Sequence, residues 1–501
     1  MSENHLYSRL SAYADAQEDK PFARLPDGSV QSYGETFHNA LRIAALLKSS
    51  GLEPGGRVAV QVHKSLRAIE LYLGTVAAGG VFLPLNTAYT AAELEYFLGD
   101  ATPSIVVVDP AREAEIAPIA GAAQLLTLDA SGGGSLSAGL TDEVITPEPR
   151  TGDDLAAILY TSGTTGRSKG AMLSHDNLYS NSETLRDYWR FTDRDVLIHA
   201  LPIFHTHGLF VATNVALLAG ATLHFLPGFD AEAIIAAMPS STALMGVPTF
   251  YTRLLAEPGL TPEAAAHMRL FVSGSAPLLA ETHADWRART GHAILERYGM
   301  TETSMNTSNP YEGERRPGTV GPPLPGVEVR VTDAEGNALP AGEVGGLEVR
   351  GPNVFKGYWR MPEKTAEEFR DGGWFVTGDL AEISEDGYVS IVGRAKDLVI
   401  SGGYNVYPKE VESLIDEIEG VAESAVIGLP HPDFGEAVTA VVVPRPGAEL
   451  EEKTILDALG DRLARYKQPK RVFLTDALPR NTMGKVQKNV LRDTYAGTYP
   501  A

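Results

Sequence analysis

Short apolar segments recur between helix-sized amphipathic ones through the first three-fifths of the chain, and this alternation limits the fold more than any other feature. Arg57–Val62, Val81–Pro84, Ser104–Val108, Ala156–Tyr160, Val196–Ala200, Thr222–Leu226 and Leu270–Val272 are the clearest. Strands spaced by helices imply βαβ units and largely parallel sheets. From about Gly318 the texture changes. Val327–Thr332, Gly346–Arg350 and Tyr388–Val392 read as strands separated by turn signals such as Asp333-Ala-Glu-Gly336 and Glu385-Asp-Gly387, which implies a smaller, mostly antiparallel β section. After Gly393-Arg-Ala-Lys-Asp-Leu-Val-Ile-Ser-Gly-Gly403 a compact α+β pattern runs on. The expected fold class is α/β. A large N-terminal domain, residues 1–394, holds two βαβ-type sheet subdomains and the small β section. It is hinged near Lys396 to a small α+β C-terminal domain, residues 396–501.

At 501 residues the chain exceeds what one core organises, in keeping with two domains. A net charge of −22 argues against nucleic-acid binding, which needs a basic face. No cysteine means no disulfide, no thiolate catalysis and no zinc–thiolate site, and fits a cytoplasmic location. Met1-Ser-Glu-Asn-His-Leu lacks the basic-then-apolar order of a signal peptide. Gly208–Phe229 carries no formal charge, yet Asn214, Gly220 and Pro227 interrupt it. Leu209–Ala219 reads as a buried helix stopped by Gly220, followed by a strand, so no membrane insertion is expected. Residues 461–501 hold nine Lys/Arg against three Asp/Glu within this acidic chain. A solvated helix face is the ordinary reading of such a run, but here it includes Lys485 in the turn Pro479-Arg-Asn-Thr-Met-Gly-Lys485.

The apolar run Leu155–Leu159 empties into Tyr160-Thr-Ser-Gly-Thr-Thr-Gly-Arg-Ser-Lys-Gly170. Glycines let backbone N–H groups point at an anion, hydroxyls add donors, and Arg167 and Lys169 supply charge. The pattern suits polyphosphate, although it lacks the spacing of a Walker A loop.

Together with this loop, Pro202-Ile-Phe-His-Thr-His-Gly208, Ser273-Gly-Ser-Ala-Pro277, Tyr298-Gly-Met-Thr-Glu302, Thr377-Gly-Asp379, Gly393-Arg-Ala-Lys-Asp397 and Pro479–Lys485 occur in one order along almost the whole chain. In that order they resemble the acyl-adenylate-forming enzymes, the group holding acyl-CoA synthetases, peptide-synthetase adenylation domains and firefly luciferase. The resemblance implies ATP and CoA as co-substrates and Mg²⁺ as cofactor. Thr161, Ser162, Gly163, Thr164, Thr165, Gly166 and Lys169 would hold the β- and γ-phosphates. Thr301 would contact the α-phosphate, and Glu302 would help hold Mg²⁺, a hard cation that wants oxygen ligands. Lys485 would bridge carboxylate and α-phosphate as charge shifts onto them. Ser275, Ala276, Glu296, Tyr298 and Gly299 would line the AMP site, Tyr298 stacking on the base, while Asp379 and Arg394 meet the ribose. Lys396 would be the hinge that exchanges Lys485 for the Gly402–Gly403 edge of the CoA thiol tunnel.

Three positions bear on the acid. Arg297 stands where the resemblance puts the wall of the acyl pocket, at the end of the apolar strand Ala293-Ile-Leu, and His205 and His207 lie in the loop facing it. A buried cation costs desolvation unless an anion meets it, and a guanidinium fork fits a second carboxylate. Pairing of Arg297 with Glu296 or Glu302 is the plainer alternative. The run Arg297–Ser308, with Phe204–Leu209 and Met245–Phe250, resembles malonyl-CoA synthetases within the family. That implies malonate, or methylmalonate, as the acid. Another small acid, or a non-CoA acceptor, is the competing assignment. A peptide-synthetase module would want an acidic pocket residue, and a bulky aromatic would not suit a dicarboxylate pocket. A binding-only homologue would have lost Lys485 or Glu302. Acylation of Lys485 would silence it by removing its charge.

Overall fold

The computed structural model describes residues 3–161, 168–401, 404–460, 462–481 and 484–499. The chain divides into two compact units, one of residues 1–328 and 349–375, the other of residues 329–348 and 376–501.

The first unit is built on two sheets. One runs in the order Gln124–Thr127, Ile105–Val108, Arg57–Gln61, Val81–Pro84, Leu155–Thr161, Lys169–Ser174, parallel except for its last strand. These strands are near-continuous Val, Ile, Leu and Ala because helices cover both faces of a parallel sheet. The helix Leu66–Ala77 that crosses between Arg57–Gln61 and Val81–Pro84 is buried at every residue but Arg67. Each fully buried Leu, Ile or Val in such a layer contributes about 1.5–3 kcal/mol.

The other sheet runs Ser304–Ser308, Leu295–Met300, Leu270–Ser273, Ala243–Gly246, Val196–His199, Thr222–Phe225, Pro21–Arg24, Val30–Ser32. Its six inner strands are parallel, and both edge strands are antiparallel. The strand expected to end at Leu295 instead begins there and continues to Met300. Arg297 therefore stands inside a strand, opposite Ser308, because Leu270–Ser273 and Ser304–Ser308 supply backbone partners to a segment that is not itself apolar.

The buried segment before Gly220 is helical, but it opens as a π-helix, His207–Thr213, before the α-helix Asn214–Ala219; Gly220 closes it at φ 68°. The wide turn has a local cause. The Gly208 carbonyl accepts from Thr213 Oγ1 at 3.0 Å and faces His199 Nε2 at 2.9 Å. A Cβ on Gly208 would sit 2.0 Å from the Pro202 carbonyl oxygen, so only glycine lets the turn lie this close.

Strands Glu328–Thr332, Gly345–Arg350, Trp374–Ile383 and Val389–Arg394, most of whose residues belong to the second unit, share a sheet, the last two antiparallel. A further sheet, Tyr404–Val406, Val399–Ser401, Gly435–Pro444, Val421–His431, carries Arg471–Leu474 parallel to Gly435–Pro444. Helices Pro408–Asp416 and Glu452–Gly460 close one core over it, and Lys488–Thr494 adds Leu491 to another. No helix among the described residues is long and apolar enough to cross a membrane.

Candidate active site

Leu155–Thr161 and Lys169–Ser174 form a hairpin in which Thr161 pairs with Lys169. The glycine-rich segment lies between these two strands in sequence. Ser162, Gly163, Thr164, Thr165, Gly166 and Arg167 lie outside the described residues, as do Gly402 and Gly403. Lys169 Nζ lies 3.5 Å from Glu368 Oε1 and 4.2 Å from the centre of the Tyr358 ring. The Tyr358 hydroxyl donates to Glu302 Oε1 at 3.0 Å. Burial first, then the Glu302 charge, raises the Tyr358 pKa, so the phenol remains a donor. Lys169 and Glu302, over a hundred residues apart in sequence, are therefore brought together through one tyrosine.

Glu302 is buried. A carboxylate offers about four lone-pair positions, enough to accept this phenol and bind a hard cation together. Among the described residues no group of three or more His, Asp or Glu is arranged to hold a metal by itself. Tyr358 and Glu368 escaped the motif reading. Glycine-bounded Phe355-Lys-Gly-Tyr358 hints at a tight turn, but nothing in its spacing points to Glu302.

Thr301 is half-buried in the turn between Leu295–Met300 and Ser304–Ser308. Tyr298 is half-buried and pairs with Thr307, after which the ladder bulges. A Cβ on Gly299 would lie 1.8 Å from the Ser304 carbonyl oxygen, so the bulge requires glycine there. Glu296 is buried, and its Oε1 accepts the Gly318 N–H at 3.3 Å. Ser275 and Ala276 follow the strand Leu270–Ser273, with Ser275 held at φ 71°, in the left-handed region. Such strain in a non-glycine residue marks a position the surroundings impose.

Ser275 also touches the third group. Its Oγ is 3.4 Å from His207 Nδ1, and His205 Nδ1 accepts the His207 N–H at 3.4 Å. His207 is 1 % exposed and its Nε2 has no hydrogen-bond partner among the described residues. Burial, then the neighbouring Arg297, hold its pKa well below the usual histidine range, so the ring is neutral.

Arg297 is 3 % exposed. Its Nε and Nη2 have no hydrogen-bond partner, and no ion pair reaches it among the described residues; neither Glu296 nor Glu302 neutralises it. Burial pulls its pKa down to about 9, which leaves it cationic at neutral pH. The guanidinium lies against Gly274, where a Cβ would approach Cζ to 2.4 Å. Removing the side chain at position 274 is what makes room for the cation. A buried, hydrogen-bond-starved guanidinium is costly unless something outside the protein completes it. An anion with two acceptor atoms would complete it.

The second unit carries the remaining residues. Asp379 and Arg394 face each other across Trp374–Ile383 and Val389–Arg394, with Arg394 Nε 2.7 Å from Asp379 Oδ1. Lys396 is exposed in the single turn Ala395–Asp397. Lys485 is exposed in a turn closed by two bonds to Asn481: Oδ1 accepts the Lys485 N–H at 3.0 Å, and the Asn481 N–H donates to the Lys485 carbonyl at 2.9 Å. Gly484 takes φ 75° to allow it.

Comparison with known proteins places this geometry. The model of the AMP-binding enzyme family matches residues 10–359, and that of the AMP-binding enzyme C-terminal domain matches residues 410–485. The crystal structure of ATP-bound MatB from Rhodopseudomonas palustris superposes with a TM-score of 0.97 at 61 % identity, covering 100 % of both chains. The malonate–CoA ligase of Arabidopsis thaliana is 36 % identical, over 98 % of this chain and 90 % of its own. A feruloyl-CoA synthase of Amycolatopsis is 37 % identical, over 93 % of this chain and 94 % of its own. Two relatives with different acids stand at nearly equal identity, so the acid has to be read from the pocket.

Proposed function

The chain belongs to the AMP-binding enzyme family, and from that premise we propose that it is an AMP-forming ligase joining malonate to CoA through malonyl-AMP. The observation that carries the choice of acid is Arg297, buried, cationic and unmatched by any described carboxylate. Malonate reacts through one carboxylate and offers the second to this fork. Methylmalonate is accepted as well, since one methyl is worth only about 1–3 kcal/mol of discrimination.

In the first step a malonate oxygen attacks the α-phosphorus of ATP, and the bond to the pyrophosphate oxygen breaks. Both reactants are anions. Lys169 and the glycine-rich turn hold the leaving phosphates, Thr301 the α-phosphate, and Lys485 offsets the charge that builds between carboxylate and phosphorus. Ser275, Ala276, Glu296, Tyr298 and Gly299 form the AMP site, and Asp379 accepts the ribose hydroxyls with Arg394 beside it. Glu302 would hold Mg²⁺, which would supply Lewis-acid neutralisation of the triphosphate. In the second step the CoA sulfur attacks the acyl carbon next to Gly402 and Gly403, AMP leaves, and the thiol proton passes to solvent. His205 and His207 orient the acyl group, and His207, neutral in its buried site, adds no second cation. We place the enzyme in the cytoplasm, in keeping with a chain that carries no cysteine.

The test is pyrophosphate release over a panel of acids, with and without CoA. Malonate and methylmalonate should lead, and release should become catalytic only with CoA. Preference for a monoacid overturns the assignment. Gly274→Ala gives a second check. Its Cβ has to displace the guanidinium, and a misplacement of that order costs about a hundredfold in kcat/KM for malonate. An unchanged value would separate Arg297 from the acid.

Lys396 we take as the pivot between the two steps, and 396–501 as the part that turns. Lys396→Pro fixes φ and restricts Ala395. Pyrophosphate release should stay near wild type while malonyl-CoA formation falls by about tenfold or more. Wild-type rates of malonyl-CoA formation would put the pivot elsewhere. Acylation of Lys485 should silence the enzyme, and activity that survives stoichiometric acetylation there would refute this.

A further inference from the structure

One lysine outside the motifs puts its amine among buried groups and meets no carboxylate there. Lys64 leaves the backbone between the strand Arg57–Gln61 and the helix Leu66–Ala77, just before Ser65, whose Oγ accepts the Ala68 N–H at 3.2 Å and caps that helix. Its side chain reaches the other sheet. Nζ lies 2.9 Å from His199 Nδ1, 2.7 Å from the His199 carbonyl oxygen and 4.5 Å from the centre of the ring of Phe225, the strand partner of His199. Burial holds the Lys64 pKa well below the usual lysine range, and no ion pair reaches it among the described residues.

The hydrogen bonds of His199 run one way. Its Nε2 faces the Gly208 carbonyl at 2.9 Å and Thr213 Oγ1 at 3.1 Å, and a carbonyl only accepts, so Nε2 carries the proton. His199 is buried, and burial, then the Lys64 charge, hold its pKa well below the usual histidine range. The ring is therefore neutral and Nδ1 is bare. Lys64 is its donor: as ammonium or as amine it keeps enough N–H groups for both Nδ1 and the His199 carbonyl. Lys64 thus selects the tautomer that lets His199 hold Gly208.

Gly208 follows His207 in the first turn of the π-helix His207–Thr213. Its carbonyl accepts from Thr213 Oγ1 at 3.0 Å as well as from His199. His207 in turn meets Ser275 Oγ at 3.4 Å, stands beside Arg297 and keeps Nε2 without a partner among the described residues. Turns of this kind are rare and concentrate at functional sites. Here the turn is held from outside, by a lysine that the other sheet supplies.

We propose that Lys64 and His199 are positioning residues for the acid: the donor chain from Lys64 through His199 to the Gly208 carbonyl fixes the turn that presents His207 to the acyl pocket. Joining two sheets does not by itself ask for such a chain. An apolar contact would fill the same space without desolvating an amine that has no carboxylate to meet. A histidine brings a choice of tautomer, and Lys64 makes the choice. The inference rests on His207 meeting the acid, as argued above.

The experiment measures KM for malonate, ATP and CoA with the full-length protein. Lys64→Met, of similar length but without a donor, frees the tautomer. KM for malonate should rise about tenfold or more, while KM for ATP and for CoA moves less than about twofold, since a displaced His207 touches the acid and not the nucleotides. KM does not depend on how much protein is folded, so a partial loss of folded enzyme cannot mimic the split. A double-mutant cycle separates the donor chain from lost packing. In His199→Gln the amide nitrogen stands in for Nε2 and donates whatever Lys64 does, so adding Lys64→Met should change KM for malonate by less than about twofold further. Lost packing would add in full. The proposal is overturned, with the ligase reading intact, by an unchanged KM for malonate in Lys64→Met, by equal rises for all three substrates, or by an effect of the same size in both backgrounds. Lys64→Met protein that folds in neither background overturns it too. A wild-type protein that prefers a monoacid overturns the malonate reading instead, and the same cycle run with that acid still decides Lys64 and His199.

Discussion

Lys485→Ala is expected to abolish malonyl-AMP formation while largely sparing the reaction of supplied malonyl-AMP with CoA. Both reactants of the first step are anions, and the lysine is assigned to the charge that develops as they meet. Removing one such stabilising group costs about a hundred- to a thousandfold in kcat, and here the group is a full cation. In the second step the phosphate is already esterified and leaves as AMP, so this charge is no longer needed. The residue sits in an exposed turn whose geometry comes from Asn481 and Gly484, so alanine removes the ammonium without disturbing a core. The two half-reactions should be timed separately, by pyrophosphate release and by thioester formation. Equal losses in both would mean that the substitution damages the unit rather than the chemistry.

Arg297→Ala is expected to collapse turnover of malonate and to leave ATP binding unchanged. A bound carboxylate deprived of its cation stays desolvated and loses its charge-assisted hydrogen bonds, a cost of about 3–5 kcal/mol. In kcat/KM that is roughly a hundred- to several-thousandfold. The fold should tolerate the change, because no ion pair within the described structure is broken and an unmatched buried charge is removed. Butyrate, which has no second charge, should lose little or gain. Measuring kcat/KM for malonate and butyrate on both proteins decides the matter. If the two acids fall by one factor, Arg297 is structural and the dicarboxylate reading loses its support.

The two residues with the largest expected effects differ in how far the sequence exposes them. Lys485 could be picked out before any coordinates, because a lysine closing Pro479-Arg-Asn-Thr-Met-Gly is a motif within one turn. Arg297 could be suspected but not resolved. Next to Glu296 and five residues before Glu302, it had two obvious carboxylates, and sequence distance cannot say which side chains meet. Strand geometry answers that: alternate residues of Leu295–Met300 point to opposite faces, so Glu296 lies on the other side of the sheet from Arg297. Glu296 takes the Gly318 N–H there, while Arg297 lies over Gly274.

Periodicity and motif order were enough for the architecture and the reaction class. Parallel strands buried on both faces are written as unbroken apolar runs, and phosphate chemistry is written as glycines, hydroxyls and a lysine in one short stretch. Such information is local and survives in one dimension. The wide turn at His207, the tyrosine joining Lys169 to Glu302 and the strand running on through Arg297 are not local. Each depends on segments tens to hundreds of residues apart arriving at the same place, and on which polar groups are left without partners once they do. Only the packed chain decides that, because the cost of a buried charge is set by everything around it and by nothing in its immediate sequence.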